Sequence, residues 1–121
     1  VVHAQDGLDE ISIGSPTRVA ELKDGGITVY TVAPEDFGLE RADLSAIAVA
    51  DAGQSLAMIN EVLDNRQGPA RDIVMLNAGA AIYAAGVADS LANGVERAGG
   101  VLADGSARDT LTALIRATNA A

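Results

Sequence analysis

The chain has no cysteine and no tryptophan, and Tyr30, Phe37 and Tyr83 are its only aromatic residues. Without cysteine there is no disulfide framework and no thiolate metal site, a usage that fits a cytoplasmic protein. With so few aromatics, the core must be built from Ala, Val, Ile and Leu, which calls for close approach of helices and short strands. Basic residues are also scarce: eight Lys and Arg face seventeen Asp and Glu, for a net charge of −9. Nucleic acid recognised through its phosphates needs clustered Lys and Arg, so no nucleic-acid partner is expected. A phosphorylated small molecule stays compatible if a divalent cation mediates the contact. No charged-then-apolar leader opens the sequence. No apolar run reaches the roughly 20 residues of a membrane span, so no membrane partner is expected either.

What is present is an ordinary globular composition. The 121 residues are 49% apolar, enough for one domain, or part of one, with a single modest core. The first third reads as extended. Val1-Val2 is a short apolar run and Ile11-Ser12-Ile13 alternates at period two. Thr17 to Leu22 and Ile27 to Val32 are rich in β-branched residues, with the hairpin turn Asp24-Gly25-Gly26 between them. Glu35 to Gly38 reads as a loop after Pro34, and Ala46 to Ala50 as a short strand or a connection.

The remainder reads as helical. Leu56, Ile59 and Leu63 follow helical spacing, and Gly68-Pro69 ends one helix and opens the next. From Pro69 to Ala85 the pattern is almost wholly apolar after Asp72, as in a buried helix, with Gly86 as its stop. Leu91, Val95, Ala98 and Leu102 define a third helix, capped by Asp89 and weakened by Gly94, Gly99 and Gly100. Ser106 and Asp109 form a weak capping-box pattern before Leu111, Leu114 and Ile115. The fold class expected is α/β: part of a mixed-sheet domain, a β-hairpin followed by about four helices. So thin a sheet for so much helix, in a chain that opens Val-Val without Met, points to a fragment whose remaining sheet lies upstream.

The candidate chemistry lies in Asp6-Gly7-Leu8-Asp9-Glu10-Ile11-Ser12, three carboxylates within five positions. Gly7 permits a turn, Leu8 can anchor it, and the adjacent Asp9 and Glu10 can converge on one hard cation. Magnesium takes one or two carboxylates and completes its shell with water and substrate phosphate, so two acids suffice. The alternative is a solvated acidic turn. His3 is the lone histidine and reads as structural, and Ser12, Ser15 and Ser45 lack the flanks of a nucleophile elbow. Gly25-Gly26 and Gly99-Gly100 do not read as phosphate loops. Arg71-Asp72 reads as helix capping and surface charge pairing. Asn77, inside the most apolar helix, needs hydrogen-bond partners if buried and reads as structural.

Three blocks in order carry a family resemblance: Val1-Val2-His3 with Asp6 to Ser12, Pro34-Glu35-Asp36-Phe37-Gly38-Leu39, and Gly68-Pro69-Ala70-Arg71-Asp72 through Asn77 to Ala81. With Ala85-Gly86 and the tail to Ala121, the chain resembles the C-terminal half of the anthranilate phosphoribosyltransferases, of glycosyltransferase family 3 and nucleoside phosphorylase-like fold. The resemblance implies a small helical domain, absent here, and a larger α/β domain to which residues 1–121 contribute the C-terminal portion. It implies transfer of ribosyl phosphate from phosphoribosyl diphosphate to the amine of anthranilate, in tryptophan biosynthesis, with Mg2+ at the departing diphosphate. The family's Asp-Glu metal ligands fall on Asp9 and Glu10. Its glycine-rich diphosphate loop, its Lys-His-Gly-Asn segment and its anthranilate-holding His and Arg are not among these residues. The isolated chain is therefore expected to be inactive, and the complete protein to be a homodimer. Rival readings are a pyrimidine-nucleoside phosphorylase-like or nucleic-acid-binding paralogue, and a non-catalytic interaction module.

Overall fold

Thr17–Lys23 (β2) and Gly26–Val32 (β3) form the expected hairpin in a computed structural model that describes residues 1–120. The register pairs Lys23 with Gly26 and Leu22 with Ile27. Asp24 and Gly25 make the turn, both at positive φ (51° and 78°), which suits the right-handed twist of the flanking strands. Val2–Ala4 (β1) adds antiparallel to β2, giving a three-stranded sheet in the order β1-β2-β3. Thr17, Val19 and Val32 point inward and are buried, while Leu22, Ile27 and Val29 lie on the exposed face.

Ile11-Ser12-Ile13, expected to be extended, joins no ladder, yet all three residues are buried. Side chains take part of the ladder's place: the Ser12 N–H donates to Thr17 Oγ1 at 3.0 Å, while Ile13 O accepts from the Ala42 N–H at 3.0 Å. Pro34–Phe37, expected as loop, is one turn of 3-10 helix. Pro34 presets its first φ, and the Ala33 N–H donates to Asp36 Oδ2 at 2.8 Å. Of the two readings of Ala46 to Ala50, the connection holds. Its first two residues close a 3-10 turn at Leu44–Ile47, where Asp43 accepts from the Ser45 N–H at 2.8 Å.

Four helices follow: Ala52–Leu63 (α1), Pro69–Ala84 (α2), Leu91–Ala103 (α3) and Ser106–Asn119 (α4). Pro69 opens α2 as expected, but α1 has already stopped at Leu63, so Gly68 only precedes α2. The cap of α3 is Ser90, one residue beyond Asp89, and its hydroxyl accepts from the Asn93 N–H at 3.1 Å. The capping box at α4 does not form. Gly105 occupies the cap position, and both the N–H and the hydroxyl of Ser106 donate to the nearer Asp104 Oδ1. The architecture is thus mixed α/β, a three-stranded antiparallel sheet with four helices. Among the described residues, no helix is long and apolar enough to cross a membrane.

The three glycines expected to weaken α3 leave it continuous, and two of them make its packing possible. A Cβ on Gly79 of α2 would lie 2.5 Å from the Val95 backbone nitrogen, and one on Gly94 would collide with the Gly79 carbonyl oxygen. The two backbones are in direct contact. At Gly99 the space is taken by the Met75 side chain, whose methyl lies 2.8 Å from where a Cβ would be. α2 buries Met75, Leu76 and Gly79 but is not covered all round, since Val74 stays 40% exposed. At its far end the Tyr83 and Tyr30 hydroxyls both donate to Glu21 of β2, at 2.5 and 3.0 Å, tying the helix to the sheet. Burial and this bond push the Tyr30 phenol up to about 12.

Gly79→Ala should therefore destabilise the chain by roughly 3 kcal/mol or more, because the methyl meets backbone that cannot step aside. Gly100→Ala, in the same helix pair but with open space around it, should instead be neutral or stabilising by about 0.5–1 kcal/mol. Urea denaturation of the two variants checks this. A Gly79→Ala variant as stable as Gly100→Ala, both following helix propensity, would show that the crossing does not govern position 79.

Candidate functional site

The acidic segment is a tight loop leaving β1. The Ala4 N–H donates to Leu8 O at 2.9 Å and the Gly7 N–H to Ala4 O at 3.1 Å, with Gly7 at φ 94°. Asp6 is spent on this geometry. Its Oδ1 accepts from the Leu8 N–H at 3.2 Å, its Oδ2 from the Ser12 hydroxyl at 2.5 Å, and its own N–H donates to Ser15 Oγ at 3.1 Å. The Ser12 hydroxyl, in turn, accepts from the Gly14 N–H at 2.9 Å. The Ser12 bond, first among the causes, holds the Asp6 carboxyl below the ordinary aspartate range.

Beyond the acids, the loop re-enters the core at Ile11. There Asn77 of α2 grips the backbone from both sides. Its Oδ1 accepts from the Ile11 N–H at 2.9 Å, and its Nδ2 donates to Ile11 O at 2.9 Å and to Ile73 O at 3.0 Å. The structural reading of Asn77 is thus met, but its partner is the loop that carries the acids. A lone amide in an apolar helix is the available signal; which loop it meets, 66 residues away, is not in the sequence.

Asp9 and Glu10 lie between these anchors. Both are exposed, and among the described residues neither carboxylate accepts a hydrogen bond or joins an ion pair. The structure therefore divides the three acids into one structural carboxylate and two unengaged neighbours. No group of three or more His, Cys, Asp or Glu that could hold a metal occurs among the described residues. The donor set is two hard oxygen ligands on a fixed loop. It does not suit a metal needing an all-protein cage, and it suits magnesium, which shares its shell with water and phosphate oxygens.

The other candidates take structural places. His3 lies exposed on β1 opposite Arg18. The Ser15 hydroxyl accepts from the Asp6 N–H, and Ser45 gives its backbone N–H to the Asp43 carboxylate. Arg71 and Asp72 pair at 3.5 Å in a less exposed setting than expected, with side chains only 11% and 19% exposed, and Arg71 Nε donates to Asn65 Oδ1 at 2.7 Å. Burial raises the Asp72 carboxyl. Four of the eight basic residues, Arg41, Arg66, Arg71 and Arg108, are paired with carboxylates.

The profile of the family described as "Glycosyl transferase family, a/b domain" matches residues 1–108. The chain belongs to this family. It is 64% identical to the anthranilate phosphoribosyltransferase of Thioalkalivibrio sulfidiphilus over 98% of its own length and 35% of the relative's. The crystal structure of anthranilate phosphoribosyltransferase from Thermus thermophilus matches 89% of the chain and 32% of that protein, at 40% identity and a TM-score of 0.79. The enzyme from Saccharomyces cerevisiae in complex with PRPP and Mg matches 99% and 35%, at 22% identity and a TM-score of 0.87, a likeness of fold. The chain thus spans about a third of the length of the curated relatives it matches, less than the half that the resemblance implies.

The Asp6 carboxyl has a lower pKa folded than unfolded. Its contribution to stability is complete above the ordinary aspartate pKa of about 3.9, and is lost as the pH falls below that through the folded value. As the pH falls below about 4, the urea midpoint of the wild-type chain should drop more steeply than that of Asp6→Asn. Parallel profiles would mean that the Ser12 bond carries no such linkage.

Proposed function

We propose that this chain is the acid-bearing, C-terminal third of an anthranilate phosphoribosyltransferase, acting on phosphoribosyl diphosphate and anthranilate. The observation that carries this reading is the unengaged Asp9-Glu10 pair on an anchored loop, in a chain so similar to enzymes of that name. In the reaction the anthranilate amine forms a bond to the sugar carbon, the bond from that carbon to the diphosphate oxygen breaks, and the amine loses a proton. Asp9 and Glu10 would hold Mg2+, which when bound neutralises charge growing on the departing diphosphate.

The chain's own contribution is to present two carboxylates from a loop that cannot drift. Two adjacent acids that join no ion pair among the described residues leave their oxygens free for a hard cation. No side-chain nucleophile is required, since the attacking group is the substrate's amine. The other binding functions fall to the two-thirds of the relatives' length that this chain does not span.

In the complete protein, Asp9→Asn and Glu10→Gln should each lower kcat/KM by roughly 100-fold and raise the magnesium concentration for half-maximal rate. Steady-state kinetics across a magnesium titration decides, and unchanged kinetics in both variants would falsify the assignment. The isolated 121-residue chain should form no phosphoribosyl anthranilate. Turnover by that chain would show that a third of the enzyme suffices.

A further inference from the structure

We propose that Asn77 is a positioning residue for the Asp9-Glu10 pair, an inference that rests on the metal-binding reading of that pair. The Ile11 N–H that donates to Asn77 Oδ1 belongs to the Glu10–Ile11 peptide unit. Fixing it fixes the orientation of the backbone on which Glu10 sits. On the other side, the Leu8 carbonyl belongs to the Leu8–Asp9 peptide unit and accepts from the Ala4 N–H at 2.9 Å. The acid pair is thus held at both flanking peptide units, once by β1 and once by α2. Only the peptide between the two acids is left without an anchor among the described residues.

The α2 anchor differs in kind from an ordinary loop contact. A side-chain amide bonding both the N–H and the C=O of one residue fixes a plane as well as a distance. Asn77 is itself restrained by its bond to Ile73 O and by the backbone contact at Gly79, two residues on. Functional groups are placed most accurately from rigid elements, and here a loop borrows the rigidity of a packed helix. Asn is a poor choice for an apolar helix unless its amide is fully bonded. The simpler account is that it merely satisfies Ile11, which is 1% exposed and has no ladder partner. That account predicts a loss of stability and nothing else.

The experiment is a magnesium titration of the complete protein with Asn77→Ala, set beside Leu76→Ala. Leu76 is fully buried on the same helix and does not touch the acidic loop through hydrogen bonds. Asn77→Ala should raise the magnesium concentration for half-maximal rate about tenfold or more, in the range seen when the support behind a metal ligand is removed. Leu76→Ala should lower Tm but leave that concentration unmoved. If both variants lose Tm and neither shifts the magnesium requirement, Asn77 is structural only. Should Asn77→Ala fail to fold, Asn77→Asp takes its place: it keeps an acceptor for the Ile11 N–H, loses both donated bonds, and is held to the same criterion. A shift in Asp9→Asn and Glu10→Gln without one in the Asn77 variant removes the positioning role alone. No shift in the acid variants removes the metal reading beneath it.

Discussion

Where α2 crosses α3, the backbone of Gly79 lies against the backbones of Gly94 and Val95 with no side chain between them. Glycine inside a helix costs about 1 kcal/mol relative to alanine, and this crossing uses one in each helix. The return is backbone-to-backbone packing in a chain with only three aromatic residues to fill space. That contact sets how deep α2 sits, and the depth of α2 sets where Leu76 enters the core, where Tyr83 meets Glu21 and where Asn77 meets Ile11.

The hairpin and the four helices were legible because each rests on local rules: β-branched runs around Asp24-Gly25, Pro69 at a helix start, Gly86 beyond a helix end. The misplacements came where two local rules competed. Asp89 and Ser90 are both good caps, and only the path of the chain into α3 selects the serine. Spacing makes Ser106 a cap for Asp109, but Asp104 competes successfully for the same hydroxyl. Gly94 and Gly99 look like weaknesses in a helix read alone, and become packing surface once Gly79 and Met75 stand opposite. Ile11-Ser12-Ile13 has the alternation of a strand yet buries every residue, with Asn77, Thr17 and the Ala42 N–H bonding its backbone in place of a ladder. Long-range partners of this sort leave no trace in spacing.

The candidate site was legible as composition but not as geometry. Three carboxylates fall within five positions, of which adjacency singles out Asp9 and Glu10, and hydrogen bonding accounts for why Asp6 is not a third. The difference matters chemically. Three converging acids describe a calcium-like cage, whereas two exposed acids describe a partial shell that substrate phosphate completes. A chain with seventeen acids against eight bases, four of the bases paired with carboxylates, also has few cations of its own to offer a diphosphate. A mediating metal is the economical way for such a surface to meet so negative a ligand.

Asp9 and Glu10 carry like charge in the open, and on a flexible loop their carboxylates would be free to turn apart into water. Each residue brought from a flexible to a fixed backbone costs about 1–2 kcal/mol in conformational entropy. If that ordering happened only when a cation arrived, it would subtract from binding. The loop is instead ordered during folding, by Asp6 with Ser12, by Ala4 with Leu8, and by Asn77 with Ile11. The two acids are thereby presented on a backbone already ordered by folding, so a cation bound there would not bear the cost of ordering the loop. On the proposed metal-binding reading, fold stability and cation affinity would be coupled at this point, since β1 and α2, which anchor the loop on either side of the pair, also close the core.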